Sequence, residues 1–261
     1  MSPAAPAWLT ARPIAHRGLH DKGAGRVENT ISAAAAAIAR GCAIECDVQL
    51  SADHEAMVFH DVTLERLTAE SGPVSLRSAQ ALQMIAVGNT ADRIPSLPAF
   101  LDTIAARVPL ICEIKSGFDG DMRLAERTLD VVKAYAGPIA LKSFDPAVIR
   151  HLRGLAPAGL PLGIVAEARY ADPEWDALSP ELKRDLAALA HFSETQPDFL
   201  SFWVEDLPHA AATLMRTGLG RPVMSWTVRT SEQRARAARW ADQMVFEGFV
   251  PDDMPQRPAF V

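Results

Sequence analysis

The chain has 261 residues, of which 49% are hydrophobic and 22% are charged, and its formal net charge is −6 at pH 7. These fractions are typical of a soluble globular protein, and the acidic balance argues against non-specific binding of nucleic acid. No stretch approaches the ~18 apolar residues that a membrane helix needs, so we expect no transmembrane segment. The composition is compatible with a small-molecule partner that bears a phosphate group, because one Arg or Lys can hold it.

The N-terminal residues and the cysteines indicate where the protein works. Residues 1–13 lack the basic start and the continuous apolar stretch of a signal peptide. The three cysteines, Cys42, Cys46 and Cys112, are odd in number, and each lies in an apolar, strand-like context. Such a context favours buried thiols in a reducing compartment over zinc ligands. Together these features predict a cytoplasmic protein.

The first part of the chain predicts a strand, a helix and a hairpin. Residues 14–18 form a short strand, and Glu28-Asn29-Thr30 opens an alanine-rich helix that Gly41 ends. Residues 43–61 then form two strands joined by a polar turn at 51–54. The next segment, 62–96, is neither a strand nor one long helix. We expect it to be a small insertion above the main body, with a short helix at 78–84.

From residue 97 onward, helices and strands alternate. Helices are expected at 97–106, 121–135, 146–155, 180–190, 208–217 and 231–240, and strands start near 14, 43, 110, 138, 161, 199, 222 and 243. Such alternation implies a parallel sheet. Eight units predict an α/β fold, a closed (β/α)8 barrel, in one domain over residues 1–261. An open doubly wound sheet is the alternative, but no Gly-rich dinucleotide fingerprint follows any strand.

The hairpin at 43–61 brings charged residues together. Glu45 and Asp47 point to the same face of their strand, because side chains alternate. If the turn centres on Asp53 and His54, Asp47 lies opposite His60. Two acids on one strand repel each other unless a cation lies between them, so we expect a cation at this site and a slightly destabilised protein without it.

Polar residues also end other predicted strands. In a (β/α)8 barrel the active site lies at the carboxyl ends of the strands. The residues at those ends are His16 and Arg17, Glu45 and Asp47 with His60 beside them, Glu113 and Lys115, Lys142 and Ser143, and Trp226. This clustering predicts a catalytic site on the first three strands.

The residue types indicate phosphoryl transfer rather than glycoside or acyl chemistry. Glu45, Asp47 and Glu113 supply the oxygen ligands that Mg²⁺ or Ca²⁺ prefers. His16 and His60 can act as base and acid near neutral pH. Two bases, Arg17 and Lys115, provide positive charge for a phosphate oxygen.

Each of these residues also has a structural interpretation. Arg17 can pair with Glu28, Lys115 can pair with Glu113, and His16 can be a satisfied histidine at a strand end. Trp226, taken alone, is more often a core residue than a ligand contact.

The ordered set of motifs resembles the glycerophosphodiester phosphodiesterases. The matching segments are His16-Arg17-Gly18, Glu28-Asn29-Thr30, Glu45-Cys46-Asp47-Val48, Phe59-His60-Asp61, Arg66-Leu67-Thr68, Ile94-Pro95-Ser96-Leu97, Glu113-Ile114-Lys115, Ser143-Phe144-Asp145 and Trp226-Thr227-Val228. The resemblance implies a (β/α)8 barrel that uses Mg²⁺ or Ca²⁺ and cleaves glycerophosphodiesters to glycerol 3-phosphate and an alcohol.

The resemblance also implies roles for individual residues. Glu45, Asp47 and Glu113 look like the metal ligands, and His16 and His60 look like the acid–base pair. The residues that look like substrate contacts are Arg17, Lys115 and Trp226. Which histidine is the acid, which headgroup is released, whether a cyclic phosphate forms and how the chain oligomerises stay open.

One stretch departs from the family pattern. The family usually ends with a Gly-Ile-Ile-Thr-Asp-like strand, whereas residues 243–249 here are QMVFEGF. The altered rim bears on the range of substrates rather than on the chemistry. Two alternatives accompany the leading hypothesis: a phospholipase-D-like enzyme that acts on lysolipids, which would need an apolar access surface, and a catalytically inactive binding barrel. An inactive barrel would be expected to lose a histidine or a carboxylate, and this chain keeps all five.

Overall fold

A computed structural model of the chain describes residues 5–251. In this range nine strands form one sheet: β1 (Ile14–Ala15), β2 (Ala43–Leu50), β3 (Ala56–Val58), β4 (Leu110–Ile114), β5 (Ile139–Ser143), β6 (Leu162–Ala166), β7 (Phe199–Trp203), β8 (Val223–Val228) and β9 (Gln243–Phe246). All neighbouring strands are parallel except β2 and β3, which form an antiparallel hairpin.

The sheet closes on itself through its first strand. Ile14 of β1 pairs with Ala43 of β2 on one side and with Val245 of β9 on the other. The eight parallel strands therefore form a closed (β/α)8 barrel, as the sequence predicted, and each begins within one residue of its expected start. The open-sheet alternative is wrong.

Nine α-helices lie within the described range: α1 (Ile31–Arg40), α2 (Ala79–Leu82), α3 (Leu97–Ile104), α4 (Arg123–Lys133), α5 (Pro146–Leu155), α6 (Pro180–Ala187), α7 (Phe192–Thr195), α8 (Ala210–Thr213) and α9 (Ser231–Trp240). Their ends follow from local chemistry. Thr30 caps α1 by accepting a hydrogen bond from Ala33, and Gly41 ends it with a φ of 72°. No helix among residues 5–251 is both long and apolar enough to cross a membrane.

The hairpin differs from its predicted register by one residue. Val48 pairs with Val58, and the amide of Phe59 donates to the carbonyl of Asp47, so Asp47 lies opposite Phe59 and not His60. The turn has an odd number of residues because His54 adopts a left-handed φ of 63°. Such a residue ends a three-residue hairpin loop, which shifts the register by one.

The insertion after the hairpin has a small apolar core of its own. Its buried members are Met57, Phe59, Leu64, Leu67, Val74, Ala79, Leu82, Val87 and Ile94. The predicted helix at 78–84 is shorter, as α2 spans Ala79–Leu82. Because the core includes Met57 and Phe59 from the hairpin, the insertion is anchored to the strand pair that carries the acids.

Side-chain alternation divides the barrel into an inside and an outside. An apolar floor fills the inside at the amino ends of the strands, with Ile14, Ala43, Ile111, Ala140, Phe199, Met224 and Val245 packed together and Leu9 against them. On the outside, Cys42, Cys46 and Cys112 are buried free thiols among apolar residues. The prediction that Cys46 packs away from Glu45 is confirmed.

The floor leaves no room for a side chain at Gly163. A Cβ there would lie 2.3 Å from the ring of Phe199, which is its partner on the next strand. We expect Gly163→Ala to lower the free energy of unfolding by about 1–3 kcal/mol, the usual cost of overpacking a core. Gly154, near the end of α5, has open space around its Cα. The same change there should raise stability by roughly 0.5–1 kcal/mol.

Urea denaturation of both variants would measure these effects. Adding Phe199→Leu to Gly163→Ala should restore part of the loss, because the two positions share one contact. A neutral Gly163→Ala would show that the floor can relax around an added methyl group.

Candidate active site

The polar site is the layer directly above the apolar floor. Two residues further along each strand from a floor residue, the inward position carries a polar or aromatic side chain in seven cases. These residues are His16, Glu45, Glu113, Lys142, Ser201, Trp226 and Glu247. Since parallel strands in a barrel all end at the same rim, the alternation that builds the floor also brings these groups together.

Three carboxylates form the centre of this layer. Glu45, Asp47 and Glu113 are 1%, 1% and 4% exposed, and one ligand oxygen from each lies within 4.8 Å of the others. Asp47 and Glu113 are direct partners across β2 and β4. Carboxylate oxygens suit hard divalent cations, so this donor set can bind a metal ion. The structure thus brings the three predicted ligands together.

Two lysines lie between these carboxylates. Lys142 is 3.0 Å from both Glu45 and Glu113, and Lys115 is 2.9 Å from Asp47 and 2.5 Å from Glu113. Burial alone would raise the pKa of Glu113, but Lys115 and Lys142 lower it to about 2. The acids are therefore compensated by ammonium groups, and the expected repulsion in the metal-free protein is already offset.

Arg17 contacts both the triad and its flank. Its backbone amide donates to Glu45 at 3.1 Å, and its guanidinium lies 2.6 Å from Glu28 and 3.3 Å from Asp47. The side-chain amide of Asn29 also donates to Asp47, at 2.9 Å. The pairing of Arg17 with Glu28 is therefore present, and it holds the guanidinium beside the carboxylates.

Each of the two histidines is held by a carboxylate. The Nδ1–H of His16 donates to Glu247 at 2.6 Å, and that of His60 donates to Asp61 at 2.7 Å. Burial, and next the charge of Arg17, keep the pKa of His16 below its usual value despite Glu247. Binding through Nδ1 leaves Nε2 of each ring available to exchange a proton.

One cavity opens beside part of this site. It has a volume of about 650 Å³, and its lining includes His60, Glu113 and Lys115. Phe118, Phe144 and Trp175 line the same cavity.

The family of the chain follows from its similarity to known proteins. The sequence model described as the glycerophosphoryl diester phosphodiesterase family matches residues 16–255, nearly the whole chain. The chain belongs to this family. Its enzyme class is that of the glycerophosphodiester phosphodiesterases, as the motifs predicted.

Relatives cover most of the chain. A glycerophosphodiester phosphodiesterase of Caldanaerobacter subterraneus subsp. tengcongensis is 30% identical over 64% of this chain and 72% of its own length. The YhdW protein of Bacillus subtilis (strain 168) is 25% identical over 92% of this chain and 93% of its own. In structure, an Oleispira antarctica phosphodiesterase in complex with the product sn-glycerol-3-phosphate has a TM-score of 0.73 at 20% identity, covering 90% of this chain and 91% of that one.

Glu247 lies in the candidate site, although the sequence did not single it out. It follows β9 in the stretch that departs from the family pattern, and it holds His16. Arg229 lies 2.5 Å from it and His20 lies 3.5 Å away. The available signal was its position one residue beyond the last strand, where a barrel places its active site. Lys142 was noted at a strand end but was not assigned a role.

The indole nitrogen of Trp226 forms a hydrogen bond within the barrel. Its Nε1–H donates to the carbonyl of Ser201 at 3.0 Å, and its ring meets Phe144 edge-to-face at 5.5 Å. The ring is half-buried and rests on the apolar floor. The tryptophan therefore has a structural role, which leaves only its ring to contact a substrate.

Arg66 from the insertion connects Asp61 and Glu28, which lie on two sides of the candidate site. Its guanidinium binds Asp61 at 2.6 and 2.8 Å and Glu28 at 2.9 and 2.8 Å. Asp61 in turn orients His60, and Glu28 holds Arg17. One side chain thereby fixes the partners of a histidine and of an arginine.

We expect Arg66→Lys to lower kcat by about 10- to 100-fold, the range seen when a group that orients catalytic ligands is lost. A lysine cannot make four contacts in one plane. Steady-state kinetics should show a larger change in kcat than in KM, and a shifted pH profile because Asp61 loses its partner. Arg77→Lys is the control, since Arg77 lies in the same insertion and contacts only exposed groups. Equal kinetics for both variants would contradict the positioning role.

Proposed function

We propose that this protein hydrolyses glycerophosphodiesters to glycerol 3-phosphate and an alcohol with the help of a divalent cation, Mg²⁺ or Ca²⁺. The observation that carries the proposal is a buried carboxylate triad beside two histidines, each held through Nδ1 by its own carboxylate. The related Oleispira antarctica structure contains sn-glycerol-3-phosphate as its product, which supports the same product here.

In this proposal Glu45, Asp47 and Glu113 hold the cation. Three cationic side chains lie beside these acids, and although one of them, Arg17, also pairs with Glu28, a divalent ion would make the site positive overall. A phosphodiester carries one negative charge and would be attracted to such a site. A bound cation would polarise the phosphoryl group and neutralise charge that develops on its oxygens.

The basic residues would position the phosphate. Lys115 is partly exposed and lines the cavity, so its ammonium can move from a carboxylate to a phosphate oxygen. Arg17 contacts Asp47 at the same place and offers its remaining N–H groups. The ring of Trp226 would contact the substrate.

The histidines would move the protons. In-line displacement needs the attacking and the leaving oxygen on opposite sides of phosphorus. Nε2 of one histidine would take the proton of the nucleophile, and Nε2 of the other would protonate the leaving oxygen. Glu247 and Asp61 would keep both rings oriented and stabilise whichever ring is protonated.

A coupled enzymatic assay of glycerol 3-phosphate release from glycerophosphocholine tests the proposal. Release is expected with Mg²⁺ or Ca²⁺ and should stop after treatment with a chelator. Absence of release under every cation condition would refute the proposed activity.

One observation favours the lysolipid alternative. Val62, Leu76 and Met84 of the insertion are 68%, 74% and 75% exposed, and Val62 lines the cavity. Exposed apolar side chains beside an active site suit contact with acyl chains. Lysophosphatidylcholine, tested in parallel with glycerophosphocholine, separates the two: faster turnover of the lysolipid would favour the alternative.

We also propose that the chain is one domain that acts in the cytoplasm on a small-molecule glycerophosphodiester. Support comes from the three buried free thiols, which suit a reducing compartment. The barrel sheet also contains all nine strands of the described residues.

A further inference from the structure

Part of the cavity lining forms an aromatic wall. Phe118, Phe144 and Trp175 all line it. The rings of Phe144 and Trp175 lie 4.7 Å apart, and Phe118 meets Trp175 edge-to-face at 6.4 Å. Tyr170 lies 5.4 Å from Trp175 and is itself fully buried. The rings thus pack against one another, and Phe144 also meets Trp226 edge-to-face at 5.5 Å.

The cavity lining also contains acids that form no ion pair. Glu174 and Asp119 line the cavity, and within residues 5–251 neither lies at ion-pair distance from Lys, Arg or His, although the charge of Asp119 acts on Arg123. Glu167, at the end of β6, does not line the cavity but lies near Trp175 and Glu174, which do, and it is only 3% exposed. Burial, and next the neighbouring Asp172 and Glu174, raise the pKa of Glu167 to about 7. A buried carboxyl group of this kind would gain from a cation nearby.

The cavity lining therefore contains two groups of residues that differ in charge. Lys115, beside the triad, offers positive charge to a phosphate, and a bound ion would add to it. In the other group Arg123 is neutralised by Asp121, at 2.9 Å, so aromatic rings and carboxylates dominate. A ligand with an anionic centre and a cationic group matches both parts of this lining.

We propose that the aromatic wall is a headgroup subsite for a quaternary ammonium group on the leaving alcohol. This inference rests on the proposed function. Ring faces of Trp and Phe attract a cation that has no N–H groups to hydrate, and nearby carboxylates add a favourable field. A neutral polyol would leave the carboxylates uncompensated, and an anionic headgroup would be repelled by them.

A pair of substrates isolates the charge of the headgroup. Glycerophosphocholine and its 3,3-dimethylbutyl analogue have the same shape, but carbon replaces the positively charged nitrogen in the second. We expect kcat/KM for the choline ester to be about tenfold higher, within the range of a cation–π site that is partly desolvated. A ratio near one would overturn the subsite while leaving the phosphodiesterase activity in place.

Two variants test whether the aromatic wall and its neighbouring acid cause the difference between the two kcat/KM values. Phe118→Leu keeps apolar bulk but removes the ring face, and Glu174→Gln keeps size but removes the charge. Each should lower the ratio to about threefold, because each removes part of the attraction. Asp176→Asn is the control, since Asp176 is an exposed carboxylate in the same loop that does not line the cavity. Its ratio should equal that of the wild type, and a fall there as large as in Glu174→Gln would contradict the assignment.

Calorimetric titration distinguishes failure of the subsite from failure of the proposed function. If neither diester is hydrolysed, the proposed function fails, and the ratio of the two dissociation constants still reports on the subsite. About tenfold tighter binding of the choline ester would support the subsite, and equal binding would refute it.

Discussion

Replacing His16 or His60 with Ala should lower kcat on glycerophosphocholine by roughly 10²–10⁴-fold, the usual contribution of an acid or a base. Both imidazoles are held by carboxylates through Nδ1, and within residues 5–251 the Nε2 atoms have no partner at hydrogen-bond distance, Glu45 being 4.0 Å from that of His16. The double variant should lose little more than the worse single one, because the pair acts as a unit. Steady-state kinetics of the three variants would measure this.

A substrate with a better leaving group shows which histidine is the acid. A p-nitrophenyl diester has a leaving group that needs little protonation, so it should restore turnover to the variant that lacks the acid and not to the one that lacks the base. The wild type should show a bell-shaped pH profile. His151→Ala is the control, because His151 lies on α5 and pairs with Glu126 away from the cavity. Near-normal turnover of both active-site variants would remove the basis for the acid–base assignment.

The second large effect concerns the metal. Dialysis against a chelator should abolish activity, and Mg²⁺ or Ca²⁺ should restore it. Replacement of Glu45, Asp47 or Glu113 should each remove most of the activity. For Glu113 we choose Gln rather than Ala, because this residue contacts both Lys115 and Lys142 and a cavity would confuse loss of metal with loss of packing.

Thermal unfolding provides a readout that is independent of turnover. A cation present at about 100 times its Kd adds about 2.7 kcal/mol to the stability of the folded state and should raise Tm by roughly 5–10 °C. Glu113→Gln should lose most of that increase, whereas Glu181→Gln, an exposed change on α6, should keep it. Unchanged activity after chelation and no shift of Tm with either cation would refute the metal site.

Period-two alternation was the strongest predictor in the sequence. It placed Glu45 and Asp47 on one face of the strand and Cys46 on the other, and the structure confirms this arrangement. The alternation of strands and helices predicted the fold because each unit is defined by local patterns of apolar residues and turn residues. The hairpin register was off by one because a left-handed His54 adds a residue to the turn, and no composition rule requires that conformation at a histidine.

The sequence by itself therefore determined the barrel, the face on which the acids lie and the grouping of polar residues at strand ends. Only the tertiary structure decided their partners. Glu247 holds His16 across 231 positions of the chain, and Arg66 binds Glu28 across 38. Lys142 reaches Glu45 of the triad from β5, a strand that is not adjacent to β2. These contacts exist because closure of the barrel brings distant strand ends to one rim, whereas local patterns specify each strand without specifying which side chains meet across the interior.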